Sequence, residues 1–94
     1  MELKDTIEMM NSADYKERFI AEYQQTKIRY KKLKAFNNKI EAAQRTQGDP
    51  FASQKVEEPT HDCPASILRE QQSAMGQYLH ILEVRAVIEG IDLN

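Results

Sequence analysis

No glycine or proline occurs before Gly48, and that unbroken opening constrains the fold more than any other feature of the chain. From Ser12 to Arg45 nothing interrupts a helix, and at ~1.5 Å per residue the stretch makes a rod about 45–50 Å long. Ser12 is the expected N-cap, with Asp14 in the first turn, where a negative charge suits the helix dipole. The chain then changes character. Positions 46–63 gather Gly48, Pro50 and Pro59 among polar side chains, a loop longer than most helix–helix connections. Pro64 sits where a first helical turn tolerates it, with Ser66 or Cys63 as cap, and Gly90 stands where a left-handed residue ends a helix. The expected fold is all-α, a single helical-hairpin domain over 1–94. It has a short N-terminal helix at 1–11, a long helix at 13–45, the loop at 46–63 and a second, antiparallel helix at 64–90.

Periodicity assigns faces to these helices. Phe19, Tyr23, Thr26, Tyr30, Leu33, Asn37 and Ile40 follow alternating spacings of four and three, a heptad-like seam. Ile20, Ile28 and Phe36 fall off it, so the apolar surface is wider than one stripe. The second helix has two such faces. Leu68, Met75, Leu79, Leu82 and Ala86 form one; Ile67, Gln71, Ala74, Tyr78, Ile81, Arg85 and Ile88 form the other. A hairpin buries only one face of each helix within itself, so the second predicts a homo-oligomer. Gly76 costs a helix about 1 kcal/mol relative to Ala, and its expected benefit is close approach of another backbone or a ligand.

Composition narrows the function. With 94 residues the chain is one small domain, and 30% charged residues suit thin helical rods better than a thick core. No apolar run reaches the ~18 residues of a membrane span, and Met-Glu-Leu-Lys-Asp is not the start of a signal peptide. A lone Cys63 makes no internal disulfide, and a reducing compartment is expected. His61, Asp62 and Cys63 are adjacent rather than spaced for one metal, with His80 elsewhere, and no Gly-rich phosphate loop occurs. Neither a metal nor a cofactor is expected, and catalysis is not.

Charge is unevenly placed. Residues 15–45 carry nine Lys and Arg against three acids, a balance of +6, although the whole chain stands at −2. Five of the seven aromatics, Tyr15, Phe19, Tyr23, Tyr30 and Phe36, share that segment. Aromatic faces stack on bases while Lys and Arg pair with phosphates, so the helix is a candidate nucleotide surface. The competing reading packs Phe19, Tyr23 and Tyr30 in the seam and leaves the lysines solvated. Tyr15 stands apart, at the helix start beside Lys16 and Arg18. Arg85 lies among apolar neighbours and needs a carboxylate or a phosphate: Glu89 one turn on, a neighbouring subunit, or an anion ligand. Arg69, beside Glu70, reads as a surface residue.

The run Asp14-Tyr15-Lys16-Glu17-Arg18-Phe19 with Glu22-Tyr23, Lys27, Arg29 and Leu33 is followed by Cys63-Pro64, Leu68, Gln71, Ala74, Met75, Tyr78, Leu79, Leu82 and Arg85. Together these resemble a family of small phage helical hairpins, the anti-CBASS cyclic-oligonucleotide sponges of T4-like and other phages, over most of residues 13–91. The resemblance implies hexamers that hold cyclic dinucleotides such as cGAMP in pockets shared by two protomers. It also implies cyclic trinucleotides near a three-fold axis, and sequestration without cleavage in the cytoplasm of the infected bacterial host. Carried over by position, Tyr15 and Lys27 belong to the dinucleotide pocket, with Lys16, Arg18 and Tyr23 around them. Arg85, with Arg69, belongs to the trinucleotide site. Met9 or Met10 on the extra N-terminal helix is the alternative contributor. Two rivals use the same residues: a coiled-coil scaffold binding another protein, and a basic-helix binder of polymeric nucleic acid.

Overall fold

The structure, a computed structural model of the chain, describes residues 1–52 and 56–94. Residues 53–55 of the expected loop lie outside the described part. The chain is all-helical. A 3-10 turn, Leu3–Thr6, leads into the short α1, Ile7–Met10, then the long α2, Tyr15–Thr46, and α3, Ala65–Glu89. The elongated body measures 56 × 25 × 24 Å, as two antiparallel rods require.

The helix ends depart from the sequence expectation in two places. Asp14, not Ser12, caps α2: its extended backbone lets the carboxylate accept from the Lys16 N–H, while the Ser12 hydroxyl accepts from the Asp14 N–H. The shorter reach of Ser12 thus organises the turn before the helix rather than the helix itself. At α3 neither Cys63 nor Ser66 is the cap. Pro64 is, and its carbonyl accepts from the Ile67 and Leu68 N–H groups with no side-chain cap. Gly90 closes α3 at φ +69°, a conformation that would strain a side chain. The Gly90 and Ile91 N–H groups both reach the Ala86 carbonyl, which turns the tail back and buries Ile91.

The core occupies the end of the hairpin where α2 begins and α3 finishes. Phe19, Tyr23, Leu79, Leu82, Ala86 and Ile91 are buried together, with Ile20, Tyr30 and Leu93 against them. At ~25 cal/mol per Å2 of apolar surface, such a cluster is the main source of stability in so thin a molecule. Asn37 lies in the same seam further along, its amide donating to the Leu68 carbonyl (3.1 Å) and to Gln72 (2.9 Å). Its Oδ1 has no partner among the described residues. A polar residue in a seam costs stability and fixes register.

Part of the off-seam surface of α2 is covered by the N-terminal segment. Thr6 is fully buried, donates to the Leu3 carbonyl and accepts from the Gln25 side chain, which also meets the Met10 sulfur. Gly76 faces a side chain rather than a second backbone: a Cβ there would lie 3.2 Å from Cε1 of Tyr30, beside a groove that both residues line. The missing side chain lets the Tyr30 ring cross α3. The second face of α3 stays uncovered within one chain, with Ile67, Tyr78, Ile81, Val84, Val87 and Ile88 all exposed. Among the described residues no helix is long and apolar enough to cross a membrane.

Candidate functional site

Antiparallel packing sets the first turns of α2 beside the last turns of α3, and there Tyr15 and Arg85 meet. Arg85 donates from Nε to a carboxylate oxygen of Glu89 at 3.0 Å and from its guanidinium to the Tyr15 hydroxyl. The Tyr15 hydroxyl in turn donates to the other oxygen of Glu89 at 3.1 Å. The guanidinium carbon lies 4.9 Å over the centre of the Phe19 ring, and the Tyr15 and Phe19 rings are tilted at 54° with centres 6.2 Å apart. Phe19 is buried and holds this arrangement to the core; Tyr15, Arg85 and Glu89 face solvent. The hydrogen bond that Arg85 donates to Glu89 is the first cause that holds its guanidinium even more firmly charged than usual. A carboxylate, a cation and the exposed Tyr15 ring at one end can hold an anion and a flat ring.

Two further tyrosines extend the cluster along the groove between the helices. Tyr78 donates to Glu22, and that bond together with burial raises its pKa. Tyr23 donates to Glu83 at 2.6 Å; burial first, then the Glu83 bond, pushes its pKa up to about 12. The Lys27 ammonium lies 5.6 Å from the centre of the Tyr23 ring. Beside it a groove of about 230 Å3 is lined by Tyr23, Lys27, Tyr30, Lys31, Gly76 and Glu83 among others. Folding favours neutral Tyr23, so its contribution to stability is complete below pH 10, the unfolded value, and is lost as pH rises through about 12. Titration followed at 295 nm should show Tyr23 ionising about two units late, with unfolding setting in over the same interval. A uniform transition of all four tyrosines near pH 10 would refute the Tyr23–Glu83 bond.

The residues expected at the site are thus sorted differently by the fold. Tyr15 and Arg85, expected in separate sites, touch. Tyr15 and Lys27, expected in one pocket, are twelve positions apart on the same helix, ~18 Å along its axis. Tyr23 and Lys27 are together in the middle groove. Lys16 is exposed, and Arg18 donates to the Ser12 carbonyl at 2.9 Å, fixing the turn before α2. Arg69 is exposed on α3, sixteen residues from Arg85 and so ~24 Å away. Met9 lines a separate cavity with Glu17 and Ile20, and Met10 contacts Gln25. Arg85 is not buried in an apolar face; it pairs with Glu89, the partner one helical turn on. Phe19 enters the site as an aromatic of the basic segment and Glu89 as a partner of Arg85; Glu22 and Tyr78 are the members that sequence reasoning does not bring to it. Their signal is a nearly constant sum of paired positions across the hairpin, visible only once the register is known.

A further basic opening of about 310 Å3 lies along α2, lined by Lys27, Lys31 and Lys32 with Met1, Gln24 and Ile28. A cavity of about 590 Å3 at the loop end is lined, among the described residues, by Ala43, Thr46, Gln47, Gly48, Val56, Glu57 and Glu58. His61 nearby packs edge-on against Phe36 and bonds the Cys63 carbonyl, pinning the loop to α2. Among the described residues no group of three or more His, Cys, Asp or Glu is placed to hold a metal.

The fold is an elongated helical hairpin that carries exposed aromatic and basic groups on an open surface. The chain belongs to the Sequestin family, whose model matches residues 13–88. The family name is that of a sequestering protein and fits the sponge resemblance carried by Tyr15 through Arg85. Neither the curated proteins nor the solved structures compared with the chain match it.

Proposed function

We propose that this protein is a phage immune-evasion sponge: it binds cyclic di- or trinucleotide messengers, withholds them without cleavage and so keeps CBASS effectors silent. The observation that carries the reading is the exposed pair of Tyr15 and Arg85, seated on the buried Phe19 ring, in a member of the Sequestin family. Ring faces stack on bases at about 1–3 kcal/mol each, and a guanidinium with a nearby hydroxyl suits a phosphodiester. Sequestration needs affinity and slow release, and the absence of a paired acid and base in the cluster is compatible with that role. The site of action is the cytoplasm of the infected host, where such messengers are made.

The reading includes a homo-oligomer, with the hexamer of the resembling sponges as the expected form. Val87 and Ile88 are 82% and 77% exposed, and with Ile81 and Val84 they continue one apolar face of α3. An antiparallel pairing about a two-fold near the level of Ala21 would bring Tyr15 of one protomer beside the partner's Lys27. A symmetric pocket of that kind offers two rings and two ammonium groups to a ligand with two bases and two phosphates. The ~18 Å between Tyr15 and Lys27 along one helix thereby becomes a contact between subunits.

The test is a thermal-shift panel of cyclic nucleotides carrying one, two and three bases, followed by heat denaturation and analysis of the released ligand. At a hundredfold excess over Kd a sequestered ligand stabilises by about 2.7 kcal/mol, a shift of about 11–22 °C for a chain of this length. Intact ligand should be recovered from a particle larger than a monomer. No shift with any of them, or a monomer by light scattering, would sink the proposal; linearised product would make the protein an enzyme. Binding only to long DNA or RNA, with steep salt dependence, would favour the basic-helix rival.

A further inference from the structure

Glu89 occupies the place that a bound phosphate would take. Its two carboxylate oxygens bridge the Arg85 Nε and the Tyr15 hydroxyl, at 3.0 and 3.1 Å, and so close a three-residue ring. A carboxylate offers the same paired acceptor oxygens as a phosphodiester, at a similar spacing. No other acid bonds Arg85 among the described residues; the neighbouring Glu22 is held by Tyr78 instead. We infer that Glu89 is an internal counter-anion that competes with ligand phosphate for Arg85 and Tyr15, and thereby sets which anions the site admits. The inference rests on the proposed anion-binding role of this end of the hairpin.

The geometry allows the exchange. Glu89 ends α3 next to Gly90, and its side chain is about one-third exposed, so it can swing into water without disturbing the core. Arg85 keeps its contact with the buried Phe19 ring, over which the guanidinium lies, and that contact favours its staying aimed at the vacated position. An exposed pair of this kind is weak, which makes it a threshold rather than a lock. A ligand with one charge replaces Glu89 with little gain. A ligand carrying two phosphates leaves a second contact in hand once the first has displaced the carboxylate. Selection against abundant monoanions then needs no enclosed pocket.

The experiment compares the full-length chain with Glu89→Gln, which keeps an acceptor for Tyr15 but removes the charge, and with Glu89→Asp, whose shorter arm withdraws the bridge while keeping the charge. Glu70→Gln, an exposed acid elsewhere on α3, makes the same change in net charge. Binding is measured by calorimetry with inorganic pyrophosphate and, separately, with a cyclic dinucleotide. Glu89→Gln should tighten pyrophosphate binding by about five- to tenfold, Glu89→Asp by about two- to threefold, and Glu70→Gln by less than twofold. Selectivity for pyrophosphate over orthophosphate should fall in Glu89→Gln. Unchanged or weaker binding in Glu89→Gln, or equal tightening in Glu70→Gln, would overturn the inference. Should pyrophosphate follow this pattern while no cyclic dinucleotide binds any variant, the counter-anion stands and the sponge proposal falls.

Discussion

Leu82→Ala is expected to lower the stability of the hairpin by about 2–5 kcal/mol. Leu82 is 1% exposed and sits among Phe19, Tyr23, Leu79, Ala86 and Ile91. Two rods held by one short cluster relax poorly around a cavity, since each is stiffened by its own backbone bonds. Small domains are stable by about 5–15 kcal/mol, so the loss is a large share of the whole. Urea unfolding should show a lower midpoint at an unchanged slope. Leu82→Met, which conserves volume, should cost less than about 1.5 kcal/mol. A deficit below about 1 kcal/mol in Leu82→Ala would mean that the packed end of the hairpin is elsewhere. Val87→Ala is the informative companion, because Val87 is exposed within one chain. A cost there that grows with protein concentration would report association through the outer face of α3.

What the sequence disclosed follows from how local each signal is. Helix over 13–45 needs only the absence of breakers, and the seam needs only spacing, so Phe19, Tyr23, Asn37 and Ile40 are all buried as the period predicts. Ends are less legible. Ser12 and Asp14 are both good caps, and backbone geometry at Asp14 decides between them. Gly76 shows a deeper difficulty. A small residue announces a close approach but not what approaches, and the answer, the Tyr30 ring, depends on the register between helices. The same register decides the site. A tight turn would have fixed it, but the long segment between α2 and α3 leaves the two rods free to slide in any reading of sequence alone. Tyr15 therefore gave no sign of meeting Arg85 and Glu89, and Tyr23 none of meeting Glu83. The N-terminal segment was likewise legible as helical, but not as the cover of Gln25 and the adjoining face of α2, because Thr6 is a polar residue that becomes buried only through its two hydrogen bonds.

Arg85→Ala should weaken binding of a cyclic dinucleotide by about 30- to 100-fold, and Tyr15→Ala by about 10- to 100-fold, with no change in thermal midpoint beyond about 2 °C. The first figure reflects loss of charge-assisted bonds to phosphate, the second loss of one stacked base. Their combination is the decisive measurement. The resemblance to cyclic-oligonucleotide sponges implies two sites, in which case the effects on any one ligand are independent and the double variant is additive. The structure instead joins the Tyr15 hydroxyl to the Arg85 guanidinium, and residues in contact couple. The double variant should then lose clearly less than the product of the single losses, because removing either group already disorganises the other. Arg85→Lys sharpens the point. It retains the charge but neither the planar face over Phe19 nor the fork that reaches Tyr15 and Glu89 together, so it should recover no more than about a third of the lost binding free energy. Cyclic dinucleotide affinity within twofold of the original in Arg85→Ala would remove Arg85 from the site, and strict additivity would return Tyr15 and Arg85 to separate pockets.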